Sequence, residues 1–249
     1  MRSWRQVVSC VVVGASVALS GAPASAEWFG DLFVGGAFTE HSEPSATVPV
    51  FGVPTTLTTK ELHHDDSVVF GGRVGYWIEP FPYVGLALDV SHFHPDVSPQ
   101  TRTVVFNPDL FGASGPTPTN KVDIGVTVIA FDLMLRWPVL TSPAFPKGQL
   151  QPYVSAGPAV FISHVKDFAN LGQGTQSETS TSVGLKAAGG LTWLFTKNIG
   201  VFAEYRFTRF HAEDEFTQSF DPVTRVTATA KVSNTLSTHH VVAGVTFRY

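Results

Sequence analysis

The chain has 249 residues, of which 14% are charged, and its 16 basic and 20 acidic residues give a formal net charge of −4. An acidic chain without a basic cluster lacks the positive surface that binds phosphate backbones, so a nucleic-acid partner is excluded. The single cysteine, Cys10, lies in an N-terminal segment that we predict to be removed, which excludes disulfides and cysteine-based chemistry elsewhere.

The N-terminal segment has the features of an export signal. Arg2 and Arg5 precede an apolar run at residues 7–19, and Ala24-Ser25-Ala26 supplies the small residues of a cleavage site. The run is shorter than the roughly 20 apolar residues of a membrane-spanning helix. We therefore predict a cleaved signal peptide at residues 1–26 and one domain at residues 27–249. That domain has no segment of 18 consecutive apolar residues, so it can meet lipid only through strands.

The rest of the chain alternates apolar and polar residues with a period of two, which predicts β-strands. In chain order they lie near residues 28–40, 66–78, 83–94, 121–137, 151–164, 182–193, 200–208 and 240–249. Long loops alternate with mostly short turns between them. Eight strands connected in this way predict an all-β fold, an eight-stranded antiparallel up-and-down barrel.

In the fourth predicted strand, the apolar residues change from even to odd positions. They are even-numbered as far as Val126 and Val128, and odd-numbered from Phe131 through Leu133 and Leu135. An extra residue in the strand would keep both sets on one face. We therefore predict a β-bulge near residues 129–130.

Alternation alone does not say which face is inside, and a soluble barrel of lipocalin type is the alternative. The polar face consists mostly of Gly, Ala, Ser and Thr with isolated charges, which suits a crowded lumen better than water. Aromatic residues fall near the short-turn ends of the strands and predict a girdle at the membrane interface. These residues are Trp28, Trp77, Trp137 and Trp193, reinforced by Phe81, Tyr83, Tyr153, Phe195 and Phe247.

Three segments and an aromatic C-terminal residue carry a family resemblance: Gly75-Tyr76-Trp77, Tyr83-Val84-Gly85-Leu86 and Ala203-Glu204-Tyr205-Arg206-Phe207. Over the whole of residues 27–249 the sequence resembles the small eight-stranded outer-membrane barrels of the OmpX, OmpW, opacity-protein and OmpA transmembrane types. The resemblance implies a location in the outer membrane of a Gram-negative cell, in contact with outer-membrane lipid and lipopolysaccharide. It also implies recognition by the barrel-assembly machinery through Phe247 and Tyr249. Because the last predicted strand reaches residue 249, we expect no peptidoglycan-binding domain of the OmpA kind.

The predicted lumen face carries eight charged side chains. Because buried charges must be paired or reach water, we interpret them as an ion-pair plug, with a narrow ion path as the alternative. We expect Glu204, Arg206, Lys186 and Arg248 to converge, since their strands are neighbours. The complete set is Arg73, Asp89, Asp132, Arg136, Lys186, Glu204, Arg206 and Arg248.

All nine histidines fall in long loops or at the loop ends of strands. The spacing of His92 and His94 places two imidazoles on one face of a strand. The segment His63-His64-Asp65-Asp66 lies at the start of the neighbouring strand. Together these histidine and aspartate side chains have the chemistry of zinc or copper ligands. The spacing matches no recognised metal motif, so we assign no metal or cofactor site. The nine are His41, His63, His64, His92, His94, His164, His211, His239 and His240.

An enzymatic alternative rests on Ser237 and His239, which share the outward face of the last strand. Glu213 or Asp214 on the preceding strand would orient the imidazole, as in a nucleophile–base–acid arrangement. The barrel lipid A deacylases use a Ser and a His on the lipid face, but in the order His-x-Ser, which is reversed here. We therefore assign no catalytic residues and expect a non-enzymatic protein.

Function is expected in the loops, because loops on a rigid scaffold carry recognition more often than the scaffold does. The first long loop contains an apolar stretch at residues 48–53 that covers the barrel mouth or contacts a partner. We expect an integral outer-membrane protein with a structural or surface-interaction role towards an extracellular partner. The alternatives are a narrow, OmpW-like transporter of small hydrophobic solutes and, third, a lipid A-modifying hydrolase.

Overall fold

A computed structural model describes residues 27–50, 53–78, 81–109, 114–166, 177–219 and 227–249. The predicted signal peptide lies outside these residues. Twelve strands form one sheet. They are β1 Glu27–Thr39, β2 Ser45–Val50, β3 Val53–Thr59, β4 Ser67–Trp77, β5 Val84–Phe93, β6 Gln100–Asn107, β7 Gly115–Thr119, β8 Asp123–Arg136, β9 Leu150–Lys166, β10 Ser177–Leu194, β11 Ile199–Ser219 and β12 Thr227–Arg248. No helix among the described residues is long and apolar enough to cross a membrane.

Eight of the strands close into an antiparallel barrel in the order β1-β4-β5-β8-β9-β10-β11-β12, with β12 pairing back onto β1. Tracing paired residues around the barrel from Glu27 returns to β1 at Ala37, ten residues further along. A stagger of this size with eight strands corresponds to a strand tilt of roughly 40° and a lumen that side chains fill. The predicted eight-stranded barrel is confirmed.

The last four barrel strands are longer than predicted, at 17, 18, 21 and 22 residues. A tilted strand crosses a bilayer in about 9–11 residues, so β9 to β12 continue well beyond it. The connection that we predicted as a loop after residue 208 is instead the continuing β11–β12 ladder, which pairs as far as Ser219 and Thr227. We call this the loop end of the barrel, and the opposite end, where the short turns lie, the turn end.

The predicted β-bulge in β8 is wrong. Pairing of β8 with β5 runs without a shift from Val126 to Leu135, and Val126, Val128, Ala130 and Met134 are all buried on the lumen side. The apolar residues change parity because the lumen changes character along its length. It is apolar towards the loop end and charged in the middle, so the inward face of one regular strand carries both kinds of residue.

The four shorter strands come from the first two long loops and form an extension of the barrel sheet. β2 pairs with β12 between Thr47 and Lys231 and between Ser45 and Ser233, and the order then runs β2-β3-β6-β7. We call β2, β3, β6 and β7 the loop sheet. The loop prediction did not include these strands, although the Thr- and Val-rich stretch 101–106 has the composition of a strand.

Two apolar clusters fill the lumen above and below its charged middle. The larger lies mainly towards the loop end and includes Phe93, Val126, Phe161, Phe210 and Leu236. The smaller lies at the turn end and consists of Phe29, Trp77, Ala87, Met134 and Tyr153. The charged side chains between them are therefore shielded from both mouths of the barrel.

Candidate functional site in the barrel lumen

Among the residues that the structure describes, ten charged side chains are buried inside the barrel, and their formal charges balance. The eight predicted residues are all there, joined by Glu27 and Asp31 on β1, so that five basic side chains face five acidic ones. Seven form a central group that crosses the lumen, and the other three lie at the turn end. The central group, which we call the charge chain, is Asp31, Arg73, Glu204, Arg206, Asp89, Lys186 and Asp132.

The first half of the charge chain is centred on Glu204. Arg73 donates from Nε to Asp31 Oδ2 at 2.9 Å and from Nη1 to Glu204 Oε2 at 2.8 Å. Arg206 donates from Nε to the other oxygen of Glu204, and the Tyr153 hydroxyl donates to Oε2 at 2.6 Å. The carboxylate thus lies between two guanidinium groups, as a buried charge requires.

The second half of the charge chain is centred on Lys186. Its Nζ lies 2.9 Å from Asp89 Oδ2 and 2.6 Å from Asp132 Oδ2, while Arg206 Nη1 lies 3.2 Å from the same Asp89 oxygen. Negative and positive groups therefore alternate from Asp31 to Asp132 without a break. Each cation contacts two carboxylates, so the loss of one member leaves its neighbours with an unmatched buried charge.

A second layer of charge lies at the turn end. Arg136 binds Glu27 through both terminal nitrogens, at 2.5 and 3.1 Å, and its guanidinium carbon lies 4.2 Å above the Trp77 ring. Arg248 lies 3.7 Å from Glu27 and stacks over Phe29. A cavity of about 210 Å³ opens beneath this layer, lined by Glu27, Lys147, Lys197 and Arg248 among others, and no residue of the charge chain lines it.

Three predictions about these residues are wrong. Arg248 does not reach Glu204, because Glu204 pairs with Val242 on β12, six residues before Arg248, which lies in the turn-end layer. Trp77 and Tyr153 are not in the interfacial girdle, being only 2% and 4% exposed inside the lumen. They serve instead as the ring beneath Arg136 and the donor to Glu204.

The rest of the predicted girdle faces outward. Trp28 and Trp137 are 47% and 51% exposed, and all the remaining predicted members are also exposed on the outer surface. Phe247 and Tyr249, the residues predicted to meet the assembly machinery, are exposed at the turn end, and their role stays a prediction.

Asp31 and Glu27 were absent from the predicted lumen set. They share the parity of Phe29 and Phe33, which are large and apolar and made that face of β1 look lipid-facing. An excess of basic over acidic residues in the predicted set, five against three, was the available signal, since a buried group of charges needs to balance.

The Ser237–His239 pairing that the enzymatic alternative requires is not formed, because other residues bind both ring nitrogens of His239. Nε2 donates to Glu40 Oε1 at 2.9 Å, and the Tyr205 hydroxyl lies 2.5 Å from Nδ1. Neither nitrogen is left to accept a proton from Ser237. The hydrogen bond from His239 holds the pKa of the Glu40 carboxyl below its ordinary value. The side chains of Glu213 and Asp214 lie outside the described residues.

The histidines separate into different environments rather than one cluster. His64 is buried, with Nε2 2.9 Å from the Ser42 hydroxyl and Nδ1 3.1 Å from the Pro95 carbonyl oxygen, and burial lowers the pKa of its imidazole. His63 hydrogen-bonds to His41. His92 and His94 contact each other. Within the described parts of the chain, no three histidine or acidic side chains form a group suited to a metal ion.

Comparison with known proteins agrees with this architecture. The chain matches the outer membrane protein beta-barrel domain family over residues 11–248. No curated protein matches the sequence significantly.

Among solved structures, the chain is similar to Neisserial surface protein A, at 13% identity and a TM-score of 0.46 over 89% of this chain and 97% of that one. It is similar to the outer membrane protein OprG from Pseudomonas aeruginosa, at 12% identity and a TM-score of 0.49 over 90% and 96%. It is also similar to the outer membrane protease OmpT from Escherichia coli, at 11% identity and a TM-score of 0.45 over 93% and 99%. With a closed eight-stranded barrel, an outward aromatic girdle and a family match over nearly its whole length, the chain belongs to the outer membrane protein beta-barrel domain family and is located in the outer membrane.

Proposed function

We propose that the protein acts at the cell surface through its loop sheet, without catalysis and without transport through its lumen. The observation that carries this proposal is the filled lumen. The charge chain has four carboxylates and three cations, and the turn-end layer of two arginines and one carboxylate balances it, so the buried charges of the lumen neutralise one another. The charge chain also lies between two apolar clusters. Moving an ion past it would require separating buried pairs, which is strongly unfavourable.

The loop sheet offers a flat, uncharged surface to a partner. On β6 and β7, alternate residues on one face are exposed and consist of small hydroxyl and apolar side chains. They are Thr101, Thr103, Val105, Pro116 and Pro118. A face of this composition suits an extracellular macromolecule recognised by shape and hydrogen bonding rather than by charge.

The free edge of the loop sheet is protected against strand addition. Pro116 pairs with Thr103 and Pro118 with Thr101, so the ladder hydrogen bonds to β6 come from the residues between the prolines. The missing N–H groups of the prolines are therefore on the outer edge of β7. An edge without these donors does not accept another strand readily, so we expect contact through the face.

Planar-bilayer conductance of the refolded protein tests the closed lumen. We expect no conducting events. Steady single-channel steps would contradict the proposal and would favour the alternative of a narrow transporter for small solutes.

The surface role is tested by replacing residues 100–119 with a short Gly-Ser turn. Cells that display the wild type and the variant at equal levels are compared on arrays of glycans and extracellular matrix proteins. Loss of binding in the variant is expected. A variant that binds as the wild type does would show that the β6–β7 face is not the contact surface.

A further inference from the structure

Two imidazoles, one exposed and one half-buried, meet at the loop end of β5 with their nitrogens at hydrogen-bond distance. His92 Nε2 and His94 Nε2 lie 3.3 Å apart, and the two rings are nearly perpendicular, at 86°. His92 is on β5, and His94 directly follows Phe93, the last residue of that strand. Alternate residues of an extended segment project on the same side, so the end of the strand positions both rings.

The ring of His92 is fixed in place from the opposite side. Its Nδ1 lies 2.9 Å from the Thr127 hydroxyl, and Thr127 is the residue directly paired with His92 on β8. When Nδ1 donates its hydrogen to Thr127, the lone pair is on Nε2 and points towards His94. A metal-binding histidine is typically oriented by such a hydrogen bond from its other nitrogen.

Gly125 keeps the space beside the two rings open. A Cβ at this position would lie 3.5 Å from His92 Cε1 and 3.8 Å from His94 Cδ2, so glycine leaves one side of the pair uncovered. His94 is exposed and His92 is half-buried. An ion in solution can therefore reach both nitrogens.

The distance of 3.3 Å between the two nitrogens fits tetrahedral coordination better than square-planar coordination. Zinc–imidazole bonds of about 2.0–2.1 Å at a tetrahedral angle place two nitrogens roughly 3.3–3.4 Å apart. Adjacent ligands of a square-planar ion would be about 2.8–2.9 Å apart with bonds of similar length. We propose that His92 and His94 chelate a zinc ion and that Thr127 orients the His92 ring for this role. The two other coordination positions of the zinc ion are open to water or to an oxygen ligand such as phosphate.

The site is a chelate of two protein ligands, since the described residues supply no third histidine or acidic group to it. We therefore expect weaker binding than at a four-ligand structural zinc site. The other histidine pair, in which His41 Nε2 meets His63 Nδ1, lacks the same orientation, because no hydroxyl among the described residues bonds to either of its rings.

The test is a calorimetric titration of the full chain, refolded in detergent micelles, with zinc chloride at pH 7.5. We expect the wild type to bind a zinc ion that His94→Gln does not bind. Thr127→Val, which keeps both imidazoles and removes the orienting hydroxyl, should weaken binding about 10–100-fold. Migration of unboiled samples on a gel confirms that each variant is folded.

His211→Gln is the matched control. His211 is an exposed histidine whose Nδ1 lies 2.8 Å from the Thr235 hydroxyl on the paired strand, as His92 does with Thr127, but it is on β11, on the opposite side of the barrel from β5. This variant should bind zinc as the wild type does. The proposal is overturned if His94→Gln titrates like the wild type, or if His41→Gln removes the bound zinc instead.

Discussion

Arg73 on β4 and Glu204 on β11 meet across the barrel lumen at 2.8 Å, although 131 residues separate them in the chain. Neither strand is a neighbour of the other in the sheet, so the contact exists only because the barrel is closed.

Removing the carboxylate of Glu204 should strongly destabilise the barrel. Glu204→Ala leaves Arg73 and Arg206 without the group between them, and breaking a buried pair in this way costs about 3–5 kcal/mol. The control is Glu43→Ala. Its partner Lys60 lies 2.7 Å away, but the two side chains are 52% and 45% exposed, so the expected cost is about 0–1 kcal/mol. Urea unfolding from lipid vesicles measures both variants. Equal midpoints would mean that the charge chain is hydrated.

Gly157 should not tolerate a side chain. A Cβ there would lie 1.8 Å from the Phe131 carbonyl oxygen on β8, so Gly157→Ala must push β8 and β9 apart. Overpacking of this kind costs about 1–3 kcal/mol or more. Gly30→Ala is the control, since a Cβ at Gly30 meets nothing within 4 Å. The urea midpoint of Gly157→Ala should fall well below that of Gly30→Ala, and equal midpoints would contradict the close approach of the strands.

Acid should loosen the loop that His64 anchors. Burial lowers the pKa of His64 below the ordinary value of 6.5, so below that pH the unfolded segment binds more protons than the folded one. Its stability therefore falls as the pH decreases from about 6.5. The protection factors of residues 61–66 against hydrogen exchange, which are corrected for the intrinsic exchange rate at each pH, should be lower at pH 5.5 than at pH 7.5, and His64→Gln should lose this dependence. An unchanged dependence in the variant would assign the effect to another group.

The outer membrane should remain chemically unaltered by the protein. His239 is bound to Glu40 and Tyr205, so we expect the lipid A mass spectrum of a host to be the same with and without expression. A missing acyl chain that returns with Ser237→Ala would refute the non-catalytic proposal.

The barrel was predictable because inward and outward residues alternate in every strand, whatever the chemistry of the lumen. Two features of the lumen could not be predicted from this alternation. Inward apolar residues such as Val126 and Phe33 look the same in sequence as residues that face lipid, which produced the mistaken bulge and concealed Asp31. The convergence of charges depends on the stagger of the strands, which alternation does not encode. In the pairing of β11 with β12, Arg248 lies six residues beyond the partner of Glu204.

The charge chain also bears on how the barrel assembles. Its contacts join β4 to β11, β11 to β5, and β10 to both β5 and β8, none of which are adjacent in the sheet. An uncurled sheet in the membrane would therefore hold most of these charges without partners, next to hydrocarbon. Neutralisation becomes available only when β1 joins β12, so we expect insertion and closure to occur as one cooperative event, with partly inserted hairpins too costly to accumulate.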